Sequence, residues 1–105
     1  MAKKINFERY SVQLNRSLSL KVDSVDTPTI LDTTHLVVLT NTADLTVPVP
    51  TDVTGQVYII RNTGASVISI RDTSIPNPNV LFTVPSGDTE YLISSGSAWV
   101  SLKPL

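Results

Sequence analysis

The sequence contains no cysteine, one histidine and four glycines, and only 16% of its residues are charged. Without cysteine, disulfide staples and thiolate-held zinc are excluded. A single histidine excludes a His-rich metal centre. The glycines stand singly in turn-like segments, so there is no Gly-rich loop to cradle a phosphate. No apolar run reaches the roughly 18 residues of a membrane-spanning helix. Lys3 and Lys4 follow Met-Ala, but no apolar stretch follows them, so a secretory signal is not expected. Membrane partners are not expected either.

The absences extend to catalysis. A nucleophilic triad needs a base within reach of its nucleophile. His35 is the only imidazole and adjoins the apolar run Leu36–Leu39, which suits a strand end better than a base. Asp23, Asp26, Asp32, Asp44, Asp52, Asp72 and Asp88 all fall in connectors, where aspartate caps turns through its own side chain. Asp23 and Asp26 lie three apart, as in some calcium loops, but without the ligand pattern of an EF-hand. The reading is therefore of a protein that is not an enzyme and carries no cofactor, catalytic group or metal.

What is present is Thr, Ser, Val, Leu and Ile, with hydrophobic residues at 41%. β-branched residues suit a pleated, half-buried surface, and Ser and Thr suit turns and strand exteriors. Tyr10, Val12 and Leu14 alternate with polar residues, as do Leu18, Leu20 and Val22, which predicts a first hairpin around Asn15-Arg16-Ser17. Asp23–Pro28 reads as a polar connector. Further strands are predicted over His35–Thr40, Leu45–Val49, Gln56–Arg61, Ser66–Arg71, Val80–Val84, Thr89–Ser94 and Ser97–Leu102, separated by Gly, Pro and Asn turns. Pro48 and Pro50 suggest an edge or bent strand, and Gln56–Arg61 with Ser66–Arg71 suggests a hairpin. Eight or nine short strands and no helix predict an all-β fold, a small antiparallel β-sandwich or barrel with an extended N-terminal arm. The expected division is an arm and first hairpin over 1–27 and a sandwich or barrel body over 28–105.

A single domain of 105 residues buries only roughly 60–65% of the surface its unfolded chain exposes. With disulfides and metal excluded, oligomerisation is the remaining source of stability. Charge is unevenly placed. Residues 1–21 hold Lys3, Lys4, Arg9, Arg16 and Lys21 against Glu8, whereas residues 22–105 hold three basic residues against eight acids. A basic segment with Phe7 and Tyr10 as apolar anchors suits a clamp on an acidic neighbour. It is too short and dispersed to favour nucleic acid. Trp99, with Tyr91, Val100 and Leu102 nearby, belongs to a core or an oligomer interface. The aromatics are scattered, whereas a sugar-binding platform needs several side by side.

Residues 44–102 carry Leu45-Thr46-Val47-Pro48, then Gly55-Gln56-Val57-Tyr58-Ile59-Ile60-Arg61-Asn62-Thr63-Gly64. Val67-Ile68-Ser69-Ile70, Val84-Pro85-Ser86-Gly87 and Ser95-Gly96-Ser97-Ala98-Trp99-Val100 follow. This order resembles a β-module of bacteriophage tail fibres, spikes and other virion appendages. The resemblance implies an inert, trimeric structural protein. With neither shaft, collagen-like repeat nor coiled coil, the chain looks more like a free-standing capsid decoration or head-fibre protein than a tail fibre. The expected partners are other copies, as a homotrimer, and the major capsid protein or another virion protein. The expected location is the capsid surface of the virion, after assembly in the host cytoplasm. The docking arm would comprise Lys3, Lys4, Phe7, Arg9, Tyr10, Arg16 and Lys21. A tail-fibre or baseplate accessory protein and a carbohydrate-binding module are the alternatives.

Overall fold

A computed structural model describes residues 20–73 and 79–103 of the chain. These form nine strands: β1 (Val22–Val25), β2 (Thr29–Ile30), β3 (Val37–Thr40), β4 (Leu45–Val47), β5 (Val57–Asn62), β6 (Ile68–Asp72), β7 (Val80–Val84), β8 (Thr89–Ser94) and β9 (Trp99–Ser101). The only helical element among the described residues is a 3-10 turn at Pro50–Asp52. The all-β expectation therefore holds, and the seven strands predicted after His35 are all present.

The sheets are not antiparallel, as expected, but mixed. Sheet A has the order β1-β3-β5-β8-β9 and sheet B the order β2-β4-β6-β7. Up to β6 the chain alternates between the sheets, so β1, β3 and β5 run parallel in A and β2, β4 and β6 run parallel in B. The chain then reverses. β7 pairs antiparallel with β6, β8 with β5, and β9 with β8. The first half is a stack of three two-strand arches, and the second half closes it with antiparallel strands.

Three local expectations are corrected by this topology. Gln56–Arg61 and Ser66–Arg71 are not a hairpin, because β5 and β6 lie in different sheets. The turn between them is an arch that carries the chain across the core. Asp23–Pro28 is not merely a connector: β1 begins at Val22 and pairs with β3, on the N-terminal side of the expected boundary at residue 27. The strand before Pro48 is not an edge, since β4 lies between β2 and β6. Pro48 and Pro50 act only after the strand has ended at Val47. The predicted first hairpin and most of the arm lie outside the described residues.

The core lies between the sheets. Val38, Tyr58, Ile60, Leu92 and Trp99 from A meet Leu45, Val47, Ile68, Ile70 and Val84 from B, and Leu31 fills the return from β2 to β3. The arches close through buried polar side chains at paired ladder positions, Thr40 opposite Asn62. Thr40 Oγ1 donates to Ala43 O at 2.7 Å and accepts from Ala43 N at 3.1 Å. Asn62 Nδ2 donates to Ser66 O and Val84 O, and its Oδ1 accepts from Gly64 N. Burying these groups is tolerable because each is hydrogen-bonded. Successive arches are tied by backbone bonds from Asn41 N to Val25 O and from Thr63 N to Thr40 O. They approach so closely that a Cβ on Gly64 would lie 1.9 Å from Thr42 Oγ1 and 2.4 Å from Thr42 N.

Candidate functional site

Sheet A differs from sheet B in its sequence. β4 reads Leu-Thr-Val and β6 reads Ile-Ser-Ile-Arg-Asp, the alternation of sheets with one wet face, and the edge strand β7, Val-Leu-Phe-Thr-Val, is the exception in sheet B. β3 begins Val-Val-Leu, β5 begins Val-Tyr-Ile-Ile and β8 contains Tyr-Leu-Ile, runs that are apolar on both faces. Such runs characterise strands covered on both sides.

The register turns these runs into rows on the outer face. Val22, Val37, Ile59 and Tyr91 are successive partners across β1, β3, β5 and β8. Leu102 N donates to Tyr91 O and extends this row beyond β9. Val57, Ile93 and Val100 form a second row across β5, β8 and β9. Val22, Tyr91, Val100 and Leu102 are 53%, 42%, 42% and 56% exposed, whereas the side chains between them are half-buried. Polar groups enter only in the next row, Ser24, Leu39, Arg61 and Thr89, where Arg61 is the single charge. Beyond that row, Ser24, Val25, Asp26, Leu39, Asn41 and Thr63 line a cleft of about 290 Å³.

The site residues expected from sequence divide accordingly. Trp99 is core: its ring lies 5.3 Å from Tyr58, and its Nε1 donates to Pro48 O at 2.8 Å. Tyr91, Val100 and Leu102 are not core but part of the exposed rows. The strand around Trp99 is apolar on both sides, as expected, yet only the Trp99 side is buried among the described residues. Lys21 is tied down by a bond from Nζ to Thr34 O at 3.1 Å and a 3.4 Å pair with Asp23. Lys3, Lys4, Phe7, Arg9, Tyr10 and Arg16 lie outside the described residues. Sequence reasoning missed Val22, Val37, Val57, Ile59 and Ile93. The signal that would have found them was the unbroken apolar runs.

The polar clusters are structural in geometry. Asp32 Oδ1 accepts from Thr34 N at 2.8 Å and Thr34 Oγ1 at 2.5 Å, and lies 3.0 Å from His35 Nδ1. The Thr34 hydroxyl and amide, and then His35, hold the Asp32 carboxyl below its usual 3.8. Tyr58 Oη donates to Asp32 O beneath this loop, and burial followed by the Asp32 charge pushes its pKa up to about 12. At the other end of the body, Lys103 Nζ donates to Asp88 at 2.6 Å, which lowers the Asp88 pKa and raises that of Lys103. Buried Glu90 accepts from Ser101 Oγ. No three His, Asp or Glu side chains converge on a metal-sized point among the described residues.

No protein family, curated protein or solved structure was found to match this chain. The site therefore rests on its geometry: an apolar sheet face rimmed by one arginine. An exposed apolar face of this kind is a candidate interaction surface.

Proposed function

We propose that this chain is a structural protein of a bacteriophage virion, a decoration or cement protein that docks on the shell of the major capsid protein. The observation that carries the reading is the apolar outer face of sheet A. A sheet face that excludes charge over one row crossing the sheet and a second crossing three strands suits permanent assembly better than life as a solitary monomer. The appendage-like order of turn and core motifs over residues 44–102 supports the virion setting.

In this reading the body self-associates, and the basic segment with Phe7 and Tyr10 grips an acidic stretch of the shell. Cementing needs no reaction. Many weak contacts repeated by symmetry add through avidity, and each copy resists the separation of the shell subunits it bridges. The test is immunogold labelling of intact virions with an antibody to this chain. Label distributed over the head is the expected result. Label confined to the tail would replace the decoration role with a tail-fibre or baseplate role, and unlabelled particles would overturn the virion reading.

A further inference from the structure

We infer that the outer face of sheet A packs against the same face on a neighbouring copy of this chain. The inference rests on the self-association in the reading above and makes its unit a two-fold pair rather than the trimer that the resemblance implies, because a face packed on its own copy is occupied by one partner. Twisted sheet faces pack well on other sheet faces of the same twist, about 10 Å apart. The partner this face suits best therefore presents an apolar sheet face of matching twist. It must also lack charges over the central rows, because the rows around Ile59 and Ile93 offer nothing to pair with them. The chain itself presents that surface, and Arg61 remains at its rim, where water still reaches it.

The dimensions agree. At about 4.8 Å between strands and about 3.3 Å per residue, the five strands, of four, four, six, six and three residues, cover roughly 360 Å² in projection. With side-chain relief and the flanking Leu20 and Leu102, this approaches the roughly 500 Å² per partner of a minimal specific interface. Sheet B has the weaker claim: Ile30, Val67 and Val80 are exposed on or beside it, but Thr46, Ser69, Arg71 and Thr83 interrupt them and no continuous apolar row forms.

The absence of cysteine makes the test clean, because one introduced thiol per chain labels one site. Val100→Cys, on the proposed interface, and Thr83→Cys, exposed on sheet B, are each spin-labelled in the full-length protein. Inter-copy distances are then measured alongside the sedimenting mass of the unmodified chain. With sheets stacked at about 10 Å per layer, labels at position 100 should lie within about 25 Å of one another and labels at position 83 beyond about 30 Å. Tyr91→Lys, already at an exposed position, should yield folded monomer. A monomeric unmodified chain overturns the inference and points to coverage of the face by another part of the chain or by the shell. An oligomer in which position 83 is the closer pair, or the two positions are equivalent, overturns it too. None of these outcomes alters the immunogold result, so this inference and the virion reading fail separately.

Discussion

Trp99 is the only tryptophan in the chain, and its indole links the last strand to the loop after β4. Its apolar ring stacks on Tyr58 while its N–H reaches Pro48 O, the pairing of apolar body and polar tip that lets an indole be buried. Trp99→Ala should cost about 3–5 kcal/mol in a urea titration. Trp99→Phe keeps the stacking but leaves Pro48 O without its donor, so it should cost less, about 1–3 kcal/mol. If the two variants have the same denaturation midpoint, the hydrogen bond rather than the ring holds this region. Glycine positions offer a second contrast. Gly87 has φ +77° with open space where a Cβ would go, so Gly87→Ala should cost only the left-handed penalty of about 1–2 kcal/mol. At Gly64 the added Cβ overlaps Thr42 backbone, which cannot swing aside as a side chain can. Gly64→Ala should therefore cost about 3 kcal/mol and lower the thermal midpoint more than Gly87→Ala.

At the scale of elements, pH acts on the loops at the two ends of the body. The Asp32 and Asp88 carboxyls lie below 3.8 in the folded chain, so each stabilises the fold above that value. That contribution is lost as pH falls through their folded values. Both groups are exposed, so the loss should be small and should shrink in high salt. Lys103 and Tyr58 act at the other extreme. Their raised folded values give stability that is complete below 10.5 and 10.0 respectively and disappears as pH rises through the folded values. Unfolding between pH 10 and about 12 should accordingly be partly suppressed in Tyr58→Phe, which has no proton to lose there. A denaturation midpoint measured against pH checks both limbs.

The strands themselves were largely legible, because period-two alternation and Gly, Pro and Asn turns act locally. Their assignment to sheets was not. Asn62-Thr63-Gly64 has the composition of a tight hairpin, but Asn62 turns its amide inward to Ser66 O and Val84 O, which stretches the connection into an arch. A hairpin and an arch differ in which way the second strand faces, and strand alternation is the same for both. The better clue was the buried polar residue ending both β3 and β5, Thr40 and Asn62, each bonded to the turn that follows. β1 and β2 were harder to see because Asp23 and Ser24 are poor advertisements for a strand and β2, two residues long, is too short to show a period. They are held in place by ladders to β3 and β4 rather than by their own propensity. The candidate site was half legible: Tyr91, Val100 and Leu102 were singled out, but only the register aligns them with Ile59, Val37 and Val22.

For the whole molecule, the two proposed adhesive regions rest on different physics, and salt separates them. An apolar face against its copy gains from leaving water and loses nothing to screening. A basic segment against an acidic shell gains from charge and weakens once the Debye length falls to about 3 Å near 1 M salt. Virions washed in high salt should therefore release this protein, and the released protein should sediment as an oligomer rather than as single chains. Because association binds the folded state, its thermal midpoint should rise with protein concentration. Val100→Asp places a carboxylate at the β9 end of the second apolar row and should abolish that rise while the far-ultraviolet spectrum stays unchanged. Protein that leaves the virion as monomer in high salt, with a midpoint independent of concentration, would mean that copies meet only on the shell. The apolar rows would then be covered by the shell itself, and the oligomer would be a consequence of docking rather than its precondition.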